Sequence, residues 1–182
     1  MSTGDIPSRA VMPLRDCLPD IGRGLWALED TRRRTMETLA GLAEETLDWI
    51  PPVEGNTIST LLYHLAAIEL DYLYADVLQA PEPWPAVVMR LFPLDVRDAQ
   101  GQLTPVRTMR LADHIERLDL VRLQLQETIR AMSLEEYRRP RDVVAHHITP
   151  EWVVHHLSQH EAEHRGHIAL VRSWAEGTIP PQ

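Results

Sequence analysis

Apolar residues recur at every third or fourth position along four long segments of this 182-residue chain, and no stretch between them alternates as a half-buried strand would. Such a period is buried by packing helix against helix, so the spacing predicts an all-α four-helix bundle. The first predicted helix runs from about Gly24 to Asp48 and stops before Pro51 and Pro52, with Leu25, Leu28, Leu39, Leu42 and Thr46 on one face. The second runs from about Thr57 to Leu78, capped by Asn56 or Thr57 and ended by Pro81 and Pro83. Its stripe is Ile58, Leu61, Leu62, Leu65, Ile68, Tyr72 and Leu73. The third spans about Thr108 to Met132 through Leu111, Ile115, Leu118, Leu125 and Ile129, and Ser133 to Glu136 has the capping-box pattern of a short helical turn. The fourth opens at Thr149-Pro150-Glu151, where a cap, a first-position proline and a first-turn acid agree, and it ends at Gly177.

The connections constrain the topology. About eight residues join the first two helices, which makes them antiparallel neighbours. Residues 79–108, with five prolines, are long enough to cross the bundle and leave the third helix free to run parallel to the second. Trp84 and Phe92 are expected to tuck this crossover against the helices, and a connection of this length is often functional. One domain over residues 1–182 is expected, with its core at about 24–176.

Composition removes several classes of function. The formal net charge of −9 disfavours a duplex nucleic-acid binder, which needs a basic face. All 18 basic residues are arginine, so neither Schiff-base chemistry nor a phosphate-cradling lysine is available. A single cysteine, Cys17, excludes an intrachain disulfide and a multi-cysteine zinc site, and it suits a reducing compartment. No stretch reaches the ~18 apolar residues of a membrane span, and MSTGDIPSRAVMPLRD lacks the apolar core of a signal peptide. A soluble cytoplasmic protein is expected.

Seven of the nine histidines fall between His146 and His167. On a wheel at ~100° per residue with Val153 at zero, Leu157, Ile168 and Val171 define the apolar face of the fourth helix. His160 falls near −20° and His164 near +20°, in the centre of that face, whereas His155 points away near −160°. Residues at i and i+4 lie roughly 6 Å apart, so both imidazoles can reach one metal ion. Burying them without a partner costs free energy, which a cation would offset. The alternative is a pair of core histidines bonded to backbone or carboxylates, and the spacing leaves both open. His64 is the lone histidine of the second helix, at the edge of its stripe, and would complete a three-histidine site with an open fourth position. Three imidazoles accept zinc, nickel, iron or another first-row ion.

Three stretches carry a family resemblance: LAEETLDWIPP, NTISTLLYHLAAIELDYL and EWVVHHLSQHEAEHRGHI, the last with His-x-x-x-His followed by Arg-Gly. Over about Leu25 to Trp174 the chain resembles the DinB-like metalloprotein superfamily. The resemblance implies an up-down-down-up four-helix bundle, often a homodimer, with the metal held by His64, His160 and His164. It implies zinc or nickel before iron or manganese, and no role as a DNA polymerase. Characterised relatives include thiol transferases using bacillithiol, mycothiol or glutathione, and a thiol-dependent maleylpyruvate isomerase. By that resemblance the protein is expected to be a metal-dependent transferase in which the ion activates a thiol or water toward a small-molecule substrate. The alternative is a non-enzymatic, metal-stabilised module that binds a small molecule or serves in a stress response.

No catalytic residue is assigned from the sequence, and Cys17 lies outside the motifs. Glu161 and Glu163 can either accept hydrogen bonds from imidazole N–H groups or form solvated flanks. His156 and His167 are candidates to support the ligands, Arg165 to meet an anionic cosubstrate, and Tyr63, Tyr72, Trp84 and Trp152 to line a pocket. His114, His146 and His147 are expected at the surface.

Overall fold

The structure, a computed structural model, describes residues 10–53, 55–143 and 146–178. Its elements are α1 (Pro19–Leu39), α2 (Glu44–Leu47), α3 (Ile58–Asp71), α4 (Ala86–Met89), α5 (Leu111–Arg130), α6 (Leu134–Arg138), β1 (Arg141–Val143), β2 (His146–Ile148) and α7 (Pro150–Thr178). A π-helical turn, Tyr72–Val77, continues α3. There the Leu78 amide donates to Leu73 O, five residues back.

Cross-helix contacts set the directions. Leu28 and Arg32 of α1 meet Arg122 and Leu118 of α5, so these helices are antiparallel. On α7, Glu161 and Arg172 meet Arg32 and Thr38 of α1, which makes α1 and α7 parallel. Ser59 meets His114 and Glu69 meets Arg122, so α3 and α5 are parallel. The order is up-down-down-up, as the resemblance implies.

The first predicted helix needs correction. It begins at Pro19, where proline occupies an early helical position and Asp20 lies in the first turn, and it ends at Leu39. Gly41 adopts φ +68°, a left-handed conformation that stops the helix. Arg172 donates to Thr38 O and Ala40 O, satisfying carbonyls left free at that end. Leu42, Thr46 and Leu47 are buried, the last two on the separate short α2. A second departure is the antiparallel β1–β2 hairpin, whose strands are three residues each and too short for alternation to show.

The crossover is pinned along its length. Tyr63 Oη donates to Leu94 O at 2.6 Å and accepts from Leu94 N at 3.0 Å. Phe92 packs edge-on against Tyr63, and Trp84 packs against Tyr74. Thr60 Oγ1 accepts from Val106 N, and Asp48 Oδ2 accepts from Thr108 N at 2.7 Å.

Between two apolar clusters lies a layer of charge. One cluster centres on Leu25, Leu28, Leu125, Val153 and Leu157; the other on Leu39, Leu62, Leu118, Val121 and Ile168. Separating them are Arg32 (α1), Glu69 (α3), Arg122 (α5) and Glu161 (α7), with side chains 8, 4, 5 and 3% exposed. Arg32 donates to Glu161 at 2.8 Å and Glu69 at 3.1 Å; Arg122 donates to Glu69 at 2.6 Å and Glu161 at 2.8 Å. The remaining guanidinium donors reach Leu118 O and Leu28 O, both at 2.9 Å. Two cations and two anions cancel, which is how four ions tolerate burial. Burial acts to raise the Glu161 carboxyl, but Arg32 and Arg122 outweigh it and hold it below its ordinary range.

His114, expected at the surface, is fully buried. Its Nε2 lies 2.8 Å from Ser59 Oγ, and its Nδ1 has no partner among the described residues. Burial, then Arg117, depresses its pKa to about 4; Asp113 and Asp48 oppose the shift. An unfolded histidine titrates near 6.5, so between these values the unfolded chain binds more protons and stability falls as pH drops. His114→Gln should therefore remove of order 3 kcal/mol of the wild-type stability loss between pH 7 and pH 4. Urea unfolding of both proteins at pH 7, 5 and 4 measures this. Parallel losses would show that His114 carries none of it.

Candidate metal centre

The local sequence determines how the two helices that bear the site begin. Thr57 Oγ1 accepts from Thr60 N at the start of α3, and Thr149 Oγ1 accepts from Trp152 N at the start of α7. These helices run antiparallel, so His64, near the middle of α3, faces His160 and His164 on consecutive turns of α7. His64 is buried, and the other two are half-buried.

Three Nε2 atoms converge. His64 Nε2 lies 3.2 Å from His160 Nε2, and His164 Nε2 lies 3.1 Å from the same atom. All three ligand atoms fall within 4.8 Å of one another. Hydrogen bonding alone serves this arrangement poorly. A neutral imidazole nitrogen either donates one proton or offers one lone pair, so His160 Nε2 cannot make two full bonds. Tetrahedral coordination at ~2.1 Å places neighbouring nitrogens about 3.4 Å apart, close to the spacing seen. With the lone pairs inward, protons sit on Nδ1, and Nδ1 of both His64 and His164 is buried without a hydrogen-bond partner among the described residues.

The surroundings keep the imidazoles neutral, which is the form that ligates. His160 is depressed to about 3, first by burial and then by His164, His64 and His156. His64 is depressed to about 4 by burial, then by His164 and by Arg97 of the crossover. Burial and His167 lower His164, while Glu163 opposes them.

An aromatic ladder runs down α7 into the cluster. Trp152 stacks on His156 with ring centres 4.7 Å apart and planes 8° apart, and Tyr72 meets His156 edge-on at 5.1 Å. His156 in turn lies 5.9 Å from His160, and His167 lies 5.5 Å from His164 on the other side. His156 and His167 thus flank the cluster, and Tyr72 and Trp152 reach it only through His156. Tyr63 instead anchors the crossover, and Trp84 packs on Tyr74. His155 is exposed, as the wheel predicts.

One further expectation needs correction. Glu161 neither supports an imidazole nor forms a solvated flank; it belongs to the buried charge layer. Glu163 is exposed. Arg165 is half-buried, with one guanidinium nitrogen buried and unpartnered among the described residues. His147 is exposed and pairs with Asp142 at 2.7 Å, while the side chain of His146 lies outside the described residues. Cys17 is half-buried, with Sγ 3.4 Å from Leu14 O. No described helix is long and apolar enough to cross a membrane. Sequence reading missed the charge layer; its one visible signal is Glu69, an anion set between Ile68 and Leu70 on α3.

Comparisons with known proteins agree with this architecture. A conserved protein from Enterococcus faecalis shares the fold at a TM-score of 0.67 and 16% identity, over 85% of this chain and 95% of that one. No curated protein matches the chain. The DinB superfamily model matches residues 27–168, a span from α1 to α7 that includes all three clustered histidines. On that match, and with an up-down-down-up bundle to accompany it, the chain belongs to the DinB superfamily.

Proposed function

We propose that His64, His160 and His164 hold one divalent cation through their Nε2 atoms, and that the protein is a metal-dependent transferase acting with a small thiol. The observation that carries the proposal is the convergence of three Nε2 atoms that hydrogen bonds cannot satisfy. An all-nitrogen set, with no carboxylate or thiolate joining it among the described residues, suits zinc or nickel better than harder ions. A bound divalent ion would supply stabilisation of a thiolate or hydroxide at neutral pH. The chain's own residues hold the three imidazoles neutral, and the stacked Trp152 and His156 rings, with Tyr72 edge-on to His156, lie on the His160 side of the cluster. Residues of about 24–176 are taken as the functional unit, assembled as a homodimer by family resemblance.

Elemental analysis of freshly purified, untagged protein is expected to find one metal ion per chain, and light scattering twice the 20.8 kDa chain mass. Less than about a tenth of an equivalent, with no uptake of added zinc or nickel, would overturn the metal reading; a 20.8 kDa particle would overturn the dimer. A cobalt-substituted sample then separates enzyme from binding module. Turnover of an arylating electrophile with added thiol supports the transferase, and thiol binding without turnover supports the module.

A further inference from the structure

A cleft of about 250 Å³ opens one turn from the histidine cluster. Leu61 of α3, one turn before His64, and His167, Leu170, Val171 and Trp174 of α7 line it, with Pro51 and Asn56 from the connection between α2 and α3. His167 joins the two features, since it lines the cleft and its ring lies 5.5 Å from that of His164.

The lining has a definite chemistry. Pro51, Leu61, Leu170, Val171 and Trp174 make the wall apolar, and Asn56 and His167 supply its polar groups. No aspartate, glutamate or arginine is among the described lining residues, although the chain has 27 acids and 18 arginines. A charged part of a ligand would find no carboxylate or guanidinium among the described lining residues and would lose hydration on entry. An uncharged ring loses nothing comparable and gains from every apolar contact. An apolar cavity of about 150 Å³ suffices for benzene, so this cleft has room for a substituted ring.

We infer that the cleft is an aryl-binding subsite of the histidine centre, taking an uncharged aromatic group carried on a short arm by a ligand whose polar end lies at His64, His160 and His164. The inference rests on the metal reading for that polar end. Leu170 is 47% exposed, so a substitution there can alter the lining without disturbing the core.

The test titrates cobalt-loaded protein with phenylmethanethiol and with 2-mercaptoethanol, reading the cobalt–thiolate absorption. Phenylmethanethiol is expected to bind at least about tenfold more tightly. Leu170→Glu should abolish that preference and leave 2-mercaptoethanol unchanged. Thiolate bands with equal affinities, or a preference that survives Leu170→Glu, would overturn the subsite and leave the metal reading intact. In parallel, benzyl alcohol is titrated into metal-free protein while the Trp174 indole N–H is followed by NMR. A saturable shift that Leu170→Glu removes supports ring binding in the cleft independently of the metal. That shift without any cobalt band would overturn the metal reading and the subsite's link to it, and neither signal would overturn both.

Discussion

Arg122→Met is expected to destabilise the protein by about 3–5 kcal/mol, the usual cost of removing one partner from a buried ion group. Arg122 donates to both Glu69 and Glu161, and its only other carboxylate contact among the described residues is the partly exposed Glu29 at 3.7 Å, so its loss leaves Arg32 alone to serve two buried carboxylates. At pH 7 one carboxylate then either stays ionised without full compensation or takes up a proton. Both routes cost free energy, and the second makes the variant's stability rise on mild acidification, against the wild-type trend. The fourfold variant Arg32→Met, Glu69→Leu, Arg122→Met, Glu161→Leu should recover most of the loss, because desolvated charges are then absent instead of unpaired. Urea unfolding of the three proteins at pH 7 decides it. A loss of under about 1 kcal/mol for Arg122→Met would mean that water reaches the layer and solvates the freed carboxylates.

The second large effect concerns the histidines. His160→Ala and His164→Ala should each abolish stoichiometric metal binding, as should His64→Ala, while His155→Ala should retain one ion per chain. Two imidazoles hold a divalent ion far more weakly than three, and no described carboxylate joins the cluster to take the missing place. His155 is exposed and lies outside the cluster, which makes it the matched control on the same helix. Equal metal loss in all four variants would show that the assignment of histidine faces on α7 is wrong. Retention by His160→Ala would be the most damaging result, since His160 Nε2 is the atom on which the other two converge.

Much of this was legible from residue spacing, and the exceptions share a cause. The i, i+4 pair at the centre of an apolar stripe predicted the convergence of His160 and His164, and the caps at Thr57 and Thr149 located two helix starts. The first helix was misplaced because periodicity carries on through Leu42 and Thr46, while the residues that delimit it are Pro19, Asp20 and Gly41. His114 falls within about 40° of Leu118 on its own wheel, so the stripe already contained it; its polarity caused it to be assigned to the surface. The charge layer failed for the same reason. Its members are 37 to 129 positions apart along the chain, and apart from Glu69 each alone reads as a solvated side chain. Only when all four are brought together does burial become affordable.

That layer also divides the evolutionary labour of the molecule. Close-packed apolar side chains transmit a change of volume to their neighbours, so a continuous core must adjust as one piece. Here a sheet of directional bonds, each set by guanidinium and carboxylate geometry, stands between two apolar compartments. Apart from Tyr74, which packs against both clusters, a methylene added near Leu25 or Leu157 meets neighbours of its own compartment, and the compartment beneath the crossover, which includes Leu61 and Val171 of the cleft wall, can be reshaped for a new ligand with little retuning of the opposite end. The chain can drift in what it accommodates while keeping the helix alignment that holds its histidines together.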